Sequence, residues 1–149
     1  MWRGLLLTIG MCAAAFPVLA SSRYYCAADD ATLKLSIDTG FSDDPGHKLN
    51  HFRGAMIGKS ADIPAAFRTL MLDSSELTQN WASNGDLRLA IAAFDGDGDA
   101  ASTASVELVI IASGKAAAAP MGGTYALTLT APGTANPKLL KGSLTCNAK

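Results

Sequence analysis

The sequence predicts an all-β fold, either an antiparallel β-sandwich or a small barrel of about seven or eight strands. The main observation is a pair of apolar runs, residues 86–94 and 106–111, in which apolar side chains alternate with period two. A turn rich in Asp and Gly, residues 95–99, separates the two runs, and this arrangement is typical of an antiparallel hairpin. The alternating side chains, which we expect at the middle of the core, are Leu87, Leu89, Ile91, Val106, Leu108 and Ile110.

The same alternation predicts further strands on both sides of this hairpin. Residues 33–41 and 123–130 alternate clearly, and residues 22–26 and 139–146 form shorter runs near the two ends. Segments rich in Gly, Pro, Asp and Asn separate these runs, as turns require. The sequence contains no internal repeat, so residues 21–149 are expected to form one domain.

The middle of the chain is less regular. Residues 49–57 are consistent with a strand that carries Leu49, His51 and Arg53 on one face. Residues 61–83 fit both a strand and a helix, because short runs satisfy either period. We expect a strand near 66–72 and a helical turn near 75–81, so that one or two short helical turns lie within 62–82.

The first twenty residues have the pattern of a secretory signal peptide. Arg3 precedes an apolar run over residues 5–16, Pro17 interrupts it, and small residues end at Ala20. This apolar run is shorter than the roughly 20 residues that a membrane-spanning helix needs, so no stable anchor is expected after cleavage. The pattern predicts an exported bacterial protein of the periplasm or the extracellular space.

Two cysteines remain after the predicted cleavage, Cys26 and Cys146, one near each end of the domain. An oxidising compartment favours a disulfide between them. Such a bond closes a long loop and restrains both chain ends.

The charge distribution argues against a nucleic-acid partner. The 149 residues carry a formal net charge of −1, and 17% of them are charged. Nucleic acids and anionic membranes are bound by basic clusters, and this sequence has none.

The acidic turn offers one candidate metal site. Asp95, Asp97 and Asp99 occupy alternate positions, like the first three ligands of a calcium-binding loop. Glycine and glutamate at the sixth and twelfth positions would complete an EF-hand loop, but Ala100 and Val106 stand there. The alternative is a solvated hairpin tip, and a calcium-stabilised β domain remains a hypothesis.

A second cluster suggests either a hydrolase or a metal site. Asp43, Asp44, His47 and His51 lie within nine residues, and only these two histidines occur in the chain. Either histidine together with either carboxylate could perform general acid–base chemistry. The spacing departs from the metalloprotease motif because no Glu follows His47. A loop histidine beside an ordinary surface histidine is the alternative.

Three arginines and a few aromatic residues could contribute to a binding surface. Arg53, Arg68 and Arg88 lie on the polar faces of predicted strands, where they could bind an anion or remain solvated. Trp81 and the pair Tyr24–Tyr25 could anchor an interface or pack in the core. No nucleophile motif is present, so the sequence favours a non-enzymatic module that binds an unknown protein or glycan of the cell envelope.

Both ends of the chain resemble the small periplasmic inhibitors of C-type lysozyme. The resemblance rests on Tyr24-Tyr25-Cys26, on the strand Leu33-Lys-Leu-Ser-Ile37, and on Leu144-Thr-Cys146-Asn. The middle motif of that family, Ser and Gly before an Arg-Tyr pair, has no counterpart here. The resemblance implies, as a further alternative, inhibition of a lytic enzyme.

Overall fold

The fold, seen in a computed structural model that describes residues 21–83, 85–96, 99, 102–114 and 120–148, is one antiparallel sheet of nine strands. The sheet curls into a nearly closed barrel. In those ranges the helical content is one 3-10 turn, Ala65–Phe67. The strands are β1 (Ser21–Asp29), β2 (Leu33–Ser42), β3 (Leu49–Gly58), β4 (Thr69–Asp73), β5 (Leu77–Ser83), β6 (Asp86–Asp95), β7 (Ala104–Ser113), β8 (Met121–Thr130) and β9 (Lys138–Ala148).

The all-β prediction is confirmed, but the strand count is nine rather than seven or eight. The central hairpin is β6 paired with β7, in a ladder that runs from Asp86↔Ser113 to Asp95↔Ala104. The six alternating side chains predicted for the middle of the core are all buried. The predicted signal peptide, residues 1–20, lies outside the described residues.

The additional strand is β5, where a helical turn was expected near 75–81. That prediction is wrong: Leu77 and Trp81 lie on a strand that pairs with β6. Within β5 Trp81 is exposed while the next residue, Ala82, is buried, so these two successive side chains lie on opposite faces of the sheet. Pairing with β6 therefore outweighs the four-residue spacing of Leu77 and Trp81 that suggested a helix. The strand expected at 66–72 lies at Thr69–Asp73, after the 3-10 turn.

Neighbouring strands in the sheet are neighbours in the chain, with one exception. The order is β4-β3-β2-β1-β9-β8-β7-β6-β5, so the first and last strands pair with each other. The β1–β9 ladder includes Cys26 directly opposite Cys146, and these two residues form a disulfide. The seam between the chain ends is thus closed by backbone hydrogen bonds and by a covalent bond.

The two edge strands, β4 and β5, are consecutive in the chain, and we call residues 69–83 the edge segment. Because every neighbouring pair is antiparallel, β4 and β5 run in the same direction. β4 pairs with β3 only over Arg53–Ile57, whereas β5 pairs with β6. Between them, the carbonyl of Glu76 accepts a hydrogen bond of 2.8 Å from the Ala92 N–H. The chain therefore changes its pairing partner from β3 to β6 as it passes from β4 into β5.

Apolar side chains fill the barrel. A void of only about 10 Å³ remains near Met56, Leu72, Ile91 and Leu108, comparable to a single water probe. The fully buried residues of largest volume are Tyr125, Phe41, Phe67, Leu33, Leu35, Ile37, Met56, Ile63, Leu87, Leu89, Ile110 and Leu127. These contacts make the interior a packed core.

One register irregularity changes a predicted face. Between Gly40 and Phe41 the β2–β3 ladder shifts, so that Gly40 pairs with His51 and Phe41 pairs with Leu49. Strict alternation would place Leu49 on the same outer face as His51. The shift instead turns Leu49 toward the core, where it packs as a partly buried side chain.

A buried tyrosine of β8 links that strand to the β1–β2 turn across the intervening strand β9. The Tyr125 hydroxyl donates a 2.7 Å hydrogen bond to Asp30 Oδ2. Asp30 Oδ1 also accepts hydrogen bonds from the Thr32 and Leu33 N–H groups, which fixes the turn. Gly142 lies opposite Tyr125 in the β8–β9 ladder, and a Cβ there would overlap the tyrosine ring.

Candidate functional site

The predicted Asp–His cluster is divided between a loop and a strand. Asp43, Asp44 and His47 are exposed in the loop between β2 and β3. Asp43 accepts a 2.9 Å hydrogen bond from the Ser22 hydroxyl, and His47 has a left-handed backbone with φ of 42°. His51 lies on β3 and bonds to Asp38, a residue that the prediction did not include. The described contacts do not pair either histidine side chain with Asp43 or Asp44.

Asp38 is the centre of a polar cluster on the outer face of β1, β2 and β3, which we call the Asp38 cluster: Arg23, Asp38, His51 and Arg53. Arg23 Nε and Nη2 donate to the two Asp38 oxygens at 2.9 and 2.6 Å. Arg53 Nε and Nη2 both donate to Asp38 Oδ2, at 3.1 and 2.8 Å. His51 Nε2 lies 3.2 Å from Asp38 Oδ1. One carboxylate thus orients two guanidinium groups and an imidazole.

The backbone explains why these side chains converge. Asp38 and Arg53 are direct partners in the β2–β3 ladder, and both point outward. His51 is opposite Gly40, where the missing side chain leaves space for the imidazole: a Cβ on Gly40 would overlap the ring. The glycine therefore allows His51 to lie across β2 and reach Asp38.

The cluster holds Asp38 ionised. The hydrogen bond from Arg23 contributes most to lowering the pKa of Asp38, and His51 and Arg53 add to this effect. Partial burial opposes the shift, since the Asp38 side chain is only 15% exposed. The balance keeps the pKa of Asp38 well below its usual range.

A second feature of the outer face is a shallow groove beside β5, of about 350 Å³, which we call the Trp81 groove. The Arg88 guanidinium carbon lies 5.5 Å from the centroid of the Trp81 ring, within the range of a cation–π contact. Trp81 is 46% exposed, and so is Ile111 two strands away. The complete lining is Gln79, Asn80, Trp81, Arg88, Leu89, Ala90, Val109 and Ile111.

The three arginines singled out from the sequence lie in different surroundings. Arg53 belongs to the Asp38 cluster, and Arg88 lies over Trp81. Arg68 Nε donates to the Ile63 carbonyl at 3.4 Å, near the 3-10 turn. They do not form one anion-binding trio.

The paired tyrosines separate as strand alternation requires. Tyr24 is buried and packs edge-on against Phe41, with the ring centroids 6.1 Å apart. Tyr25 is exposed beside the Asp38 cluster. Of the aromatic residues considered for a surface role, Tyr25 and Trp81 therefore remain available.

The predicted calcium site falls partly outside the described residues. Asp95 ends β6 and Asp99 is described, but Asp97 is not. Elsewhere in the described ranges, no group of three His, Cys, Asp or Glu residues is arranged to hold a metal ion. Calcium binding by Asp95, Asp97 and Asp99 stays a hypothesis.

Sequence reasoning missed the Asp38 cluster because its members are distant in the chain. Arg23 and Asp38 each read as an ordinary polar residue of a strand. Arg53 was considered as an anion ligand, but together with Arg68 and Arg88 rather than with Asp38. Opposite charges on neighbouring strands could signal the cluster, but only if the register of the ladders were known. The Gly40–His51 pairing likewise depends on the β2–β3 register, which the sequence does not reveal.

Comparison with known proteins gave no match: no family model fits the chain, and no curated protein or solved structure is detectably similar to it. Among the described residues, none belongs to a helix long and apolar enough to cross a membrane.

Proposed function

We propose that this chain is an exported binding module whose partner, a protein or glycan of the cell envelope, contacts the Trp81 groove. The observation that carries the proposal is an exposed Trp81 stacked with Arg88 next to an exposed Ile111. Tryptophan and arginine are the residues most enriched at the energetic centres of interfaces. The signal peptide and the disulfide predicted from the sequence support export.

The packing of the barrel supports a site on its outside. Small barrels that carry ligands internally keep a cavity for them, whereas the described side chains around Met56, Leu72 and Ile91 leave an interior void of only about 10 Å³. The groove, by contrast, has a floor of small or branched side chains, Ala90 and Val109, with the amides of Gln79 and Asn80 at its side. An apolar floor with a few polar groups is the common composition of a binding surface.

The other functions predicted from the sequence gain no specific support. The predicted hydrolase needs Asp43 or Asp44 within hydrogen-bond reach of a histidine side chain. No described side-chain contact makes such a pair, and His51 is bonded to Asp38. Calcium stabilisation and inhibition of a lytic enzyme remain hypotheses on the sequence patterns alone.

Tryptophan fluorescence provides a direct test. Trp81 is the only tryptophan in residues 21–149, so the emission of this domain reports on the groove itself. Envelope extract is separated into protein and polysaccharide fractions, and each fraction is titrated into the domain. We expect one fraction to change the emission saturably and to be retained by the immobilised domain.

Two variants make the test specific. Trp81→Ala should reduce retention of the active fraction by roughly tenfold, the scale of an interface anchor. Phe94→Ala is the matched control, because Phe94 is an aromatic residue of β6 that is 71% exposed and outside the groove. Equal retention by wild type and Trp81→Ala would refute the assignment of the groove.

A further inference from the structure

The Asp38 cluster has more hydrogen-bond donors than Asp38 can use. A guanidinium carries five N–H groups. Arg23 and Arg53 each donate two of theirs to Asp38, so three remain on each arginine. A carboxylate offers about four acceptor sites, and Asp38 already receives these four bonds and the contact from His51. The remaining donors therefore need another acceptor, which is water or a ligand.

These donors are both ordered and accessible. The Arg23 side chain is 50% exposed and that of Arg53 is 72% exposed, whereas the Asp38 side chain that orients them is 15% exposed. Two arginines against one carboxylate leave the group with a net charge of +1. Guanidinium groups that are already fixed lose less side-chain freedom when they bind an oxyanion.

The surroundings of the cluster have room for more than an ion. A shallow groove of about 290 Å³ extends from Asp38 and Arg53 toward Tyr25 on one side and Met71 on the other. Small residues, Gly54 and Ala55, line this groove and leave its floor open. Tyr25 is 45% exposed, and an aromatic ring of this kind can pack against the apolar face of a sugar.

From these observations we propose that the Asp38 cluster binds the phosphate group of a phosphorylated sugar, with Arg23 and Arg53 as the anion ligands and Tyr25 beside the sugar ring. Two arginines suit a phosphate group, because the phosphate oxygens can accept hydrogen bonds from two planar guanidinium groups at the same time. The proposal is independent of the Trp81 groove, which lies on β5, β6 and β7.

The overall charge of the chain favours a sugar phosphate over a lipid surface or a nucleic acid. Those partners present arrays of phosphates, and proteins that bind them carry extended basic patches. This chain has a formal net charge of −1. Asp73, the ladder partner of Arg53, adds negative charge at the edge of the cluster, although its carboxylate already accepts the Ser75 N–H. A single phosphate matches this limited positive area.

The test is calorimetric titration of the protein with glucose 6-phosphate, inorganic phosphate and glucose at low ionic strength. We expect glucose 6-phosphate to bind more tightly than inorganic phosphate, and glucose alone to give no signal. Arg53→Gln and Arg23→Gln should each weaken glucose 6-phosphate binding by roughly tenfold, since a charge-assisted contact is lost. Lys141→Gln is the control: it removes one positive charge from an exposed position of β9, outside both the Asp38 cluster and the Trp81 groove, and should leave the affinity within about twofold.

The outcomes separate the alternatives. Tyr25→Ala should remove the advantage of the sugar phosphate over inorganic phosphate, and equal affinities for both in the wild type would overturn the role of the sugar. Binding to vesicles that contain phosphatidylglycerol, without binding to glucose 6-phosphate, would overturn the proposal in favour of a lipid headgroup. Loss of affinity in Lys141→Gln equal to that in Arg53→Gln would show a diffuse charge effect and refute the site. Thermal unfolding of each variant confirms that it is folded during titration.

Discussion

Replacing Cys26 and Cys146 together with alanine should lower the free energy of unfolding by about 5 kcal/mol. The two cysteines are 120 residues apart in the chain. For a loop of that length, the chain-entropy relation gives about 4.9 kcal/mol at 25 °C, because the cross-link restricts the unfolded chain. Small domains are stable by only about 5–15 kcal/mol, so this one bond accounts for a large part of the stability.

The folded state should change much less than the unfolded state. Both cysteines are fully buried, and the strands that carry them remain paired over Tyr24–Ala27 in the β1–β9 ladder. The variant should therefore keep its far-ultraviolet circular dichroism and its Trp81 emission in the absence of denaturant.

Urea unfolding followed by Trp81 fluorescence and circular dichroism measures the effect. A chain without the cross-link exposes more surface when it unfolds, so the dependence of the free energy on urea should also become steeper. Wild-type protein reduced in denaturant and refolded with its thiols blocked from reoxidation is a useful control, because it lacks the bond but keeps both sulfurs. A loss below about 1 kcal/mol with an unchanged urea dependence would refute the loop-closure reasoning.

Three further predictions concern polar contacts and close packing. Tyr125→Phe removes the hydrogen bond to Asp30 and should cost about 1–2 kcal/mol in urea unfolding at pH 7. Burial, with help from the Asp30 hydrogen bond, raises the pKa of Tyr125 to about 12, so wild-type stability should fall as pH rises from about 10 through that value. This decline should be smaller in Tyr125→Phe, and equal declines in melting temperature would contradict it. Asp38→Asn should lower stability by about 1 kcal/mol at pH 7, because Arg23 and Arg53 lose their shared partner. Since the pKa of Asp38 is lowered in the folded state, the difference from wild type should shrink as pH falls below about 4, and a difference that persists in acid would contradict the ion-pair explanation. Gly142→Ala should cost about 1–3 kcal/mol in thermal or urea unfolding, because the new methyl group overlaps the Tyr125 ring, and an unchanged midpoint would show that the ring moves freely.

Local alternation was sufficient to predict most of the strands. Leu87, Leu89 and Ile91 belong to a strand with neighbours on both sides, and all three are buried as their alternation predicts. Leu49 was placed on the wrong face because a register shift beside Gly40 changes the parity of β3. Such a shift depends on the partner strand, so a single strand's sequence does not show it.

The edge segment was the hardest part of the fold to predict, for a related reason. Residues 75–81 have a helical spacing of Leu77 and Trp81, and their strand form is imposed by pairing with β6. Likewise, the Asp38 cluster and the Trp81 groove each combine residues from several strands. Trp81 was identified as a surface candidate from its residue type, whereas its partner Arg88 was grouped with other arginines because the ladder between β5 and β6 was unknown.

The disulfide also affects how the barrel would respond to a break in its backbone. From Cys26 to Cys146 the covalent path is a closed ring, and the turn between β4 and β5 is one short arc of that ring. A single backbone cut at Ser75 would open the ring without releasing any piece of the protein. Tyr24 and Ala148 are ladder partners, so a short linker could join the beginning of β1 to the end of β9. A circularly permuted chain that starts at Leu77, continues through this linker and ends at Asp73 would then contain every ladder of the native sheet. Its new ends would lie between β4 and β5, where the pairing already changes from β3 to β6.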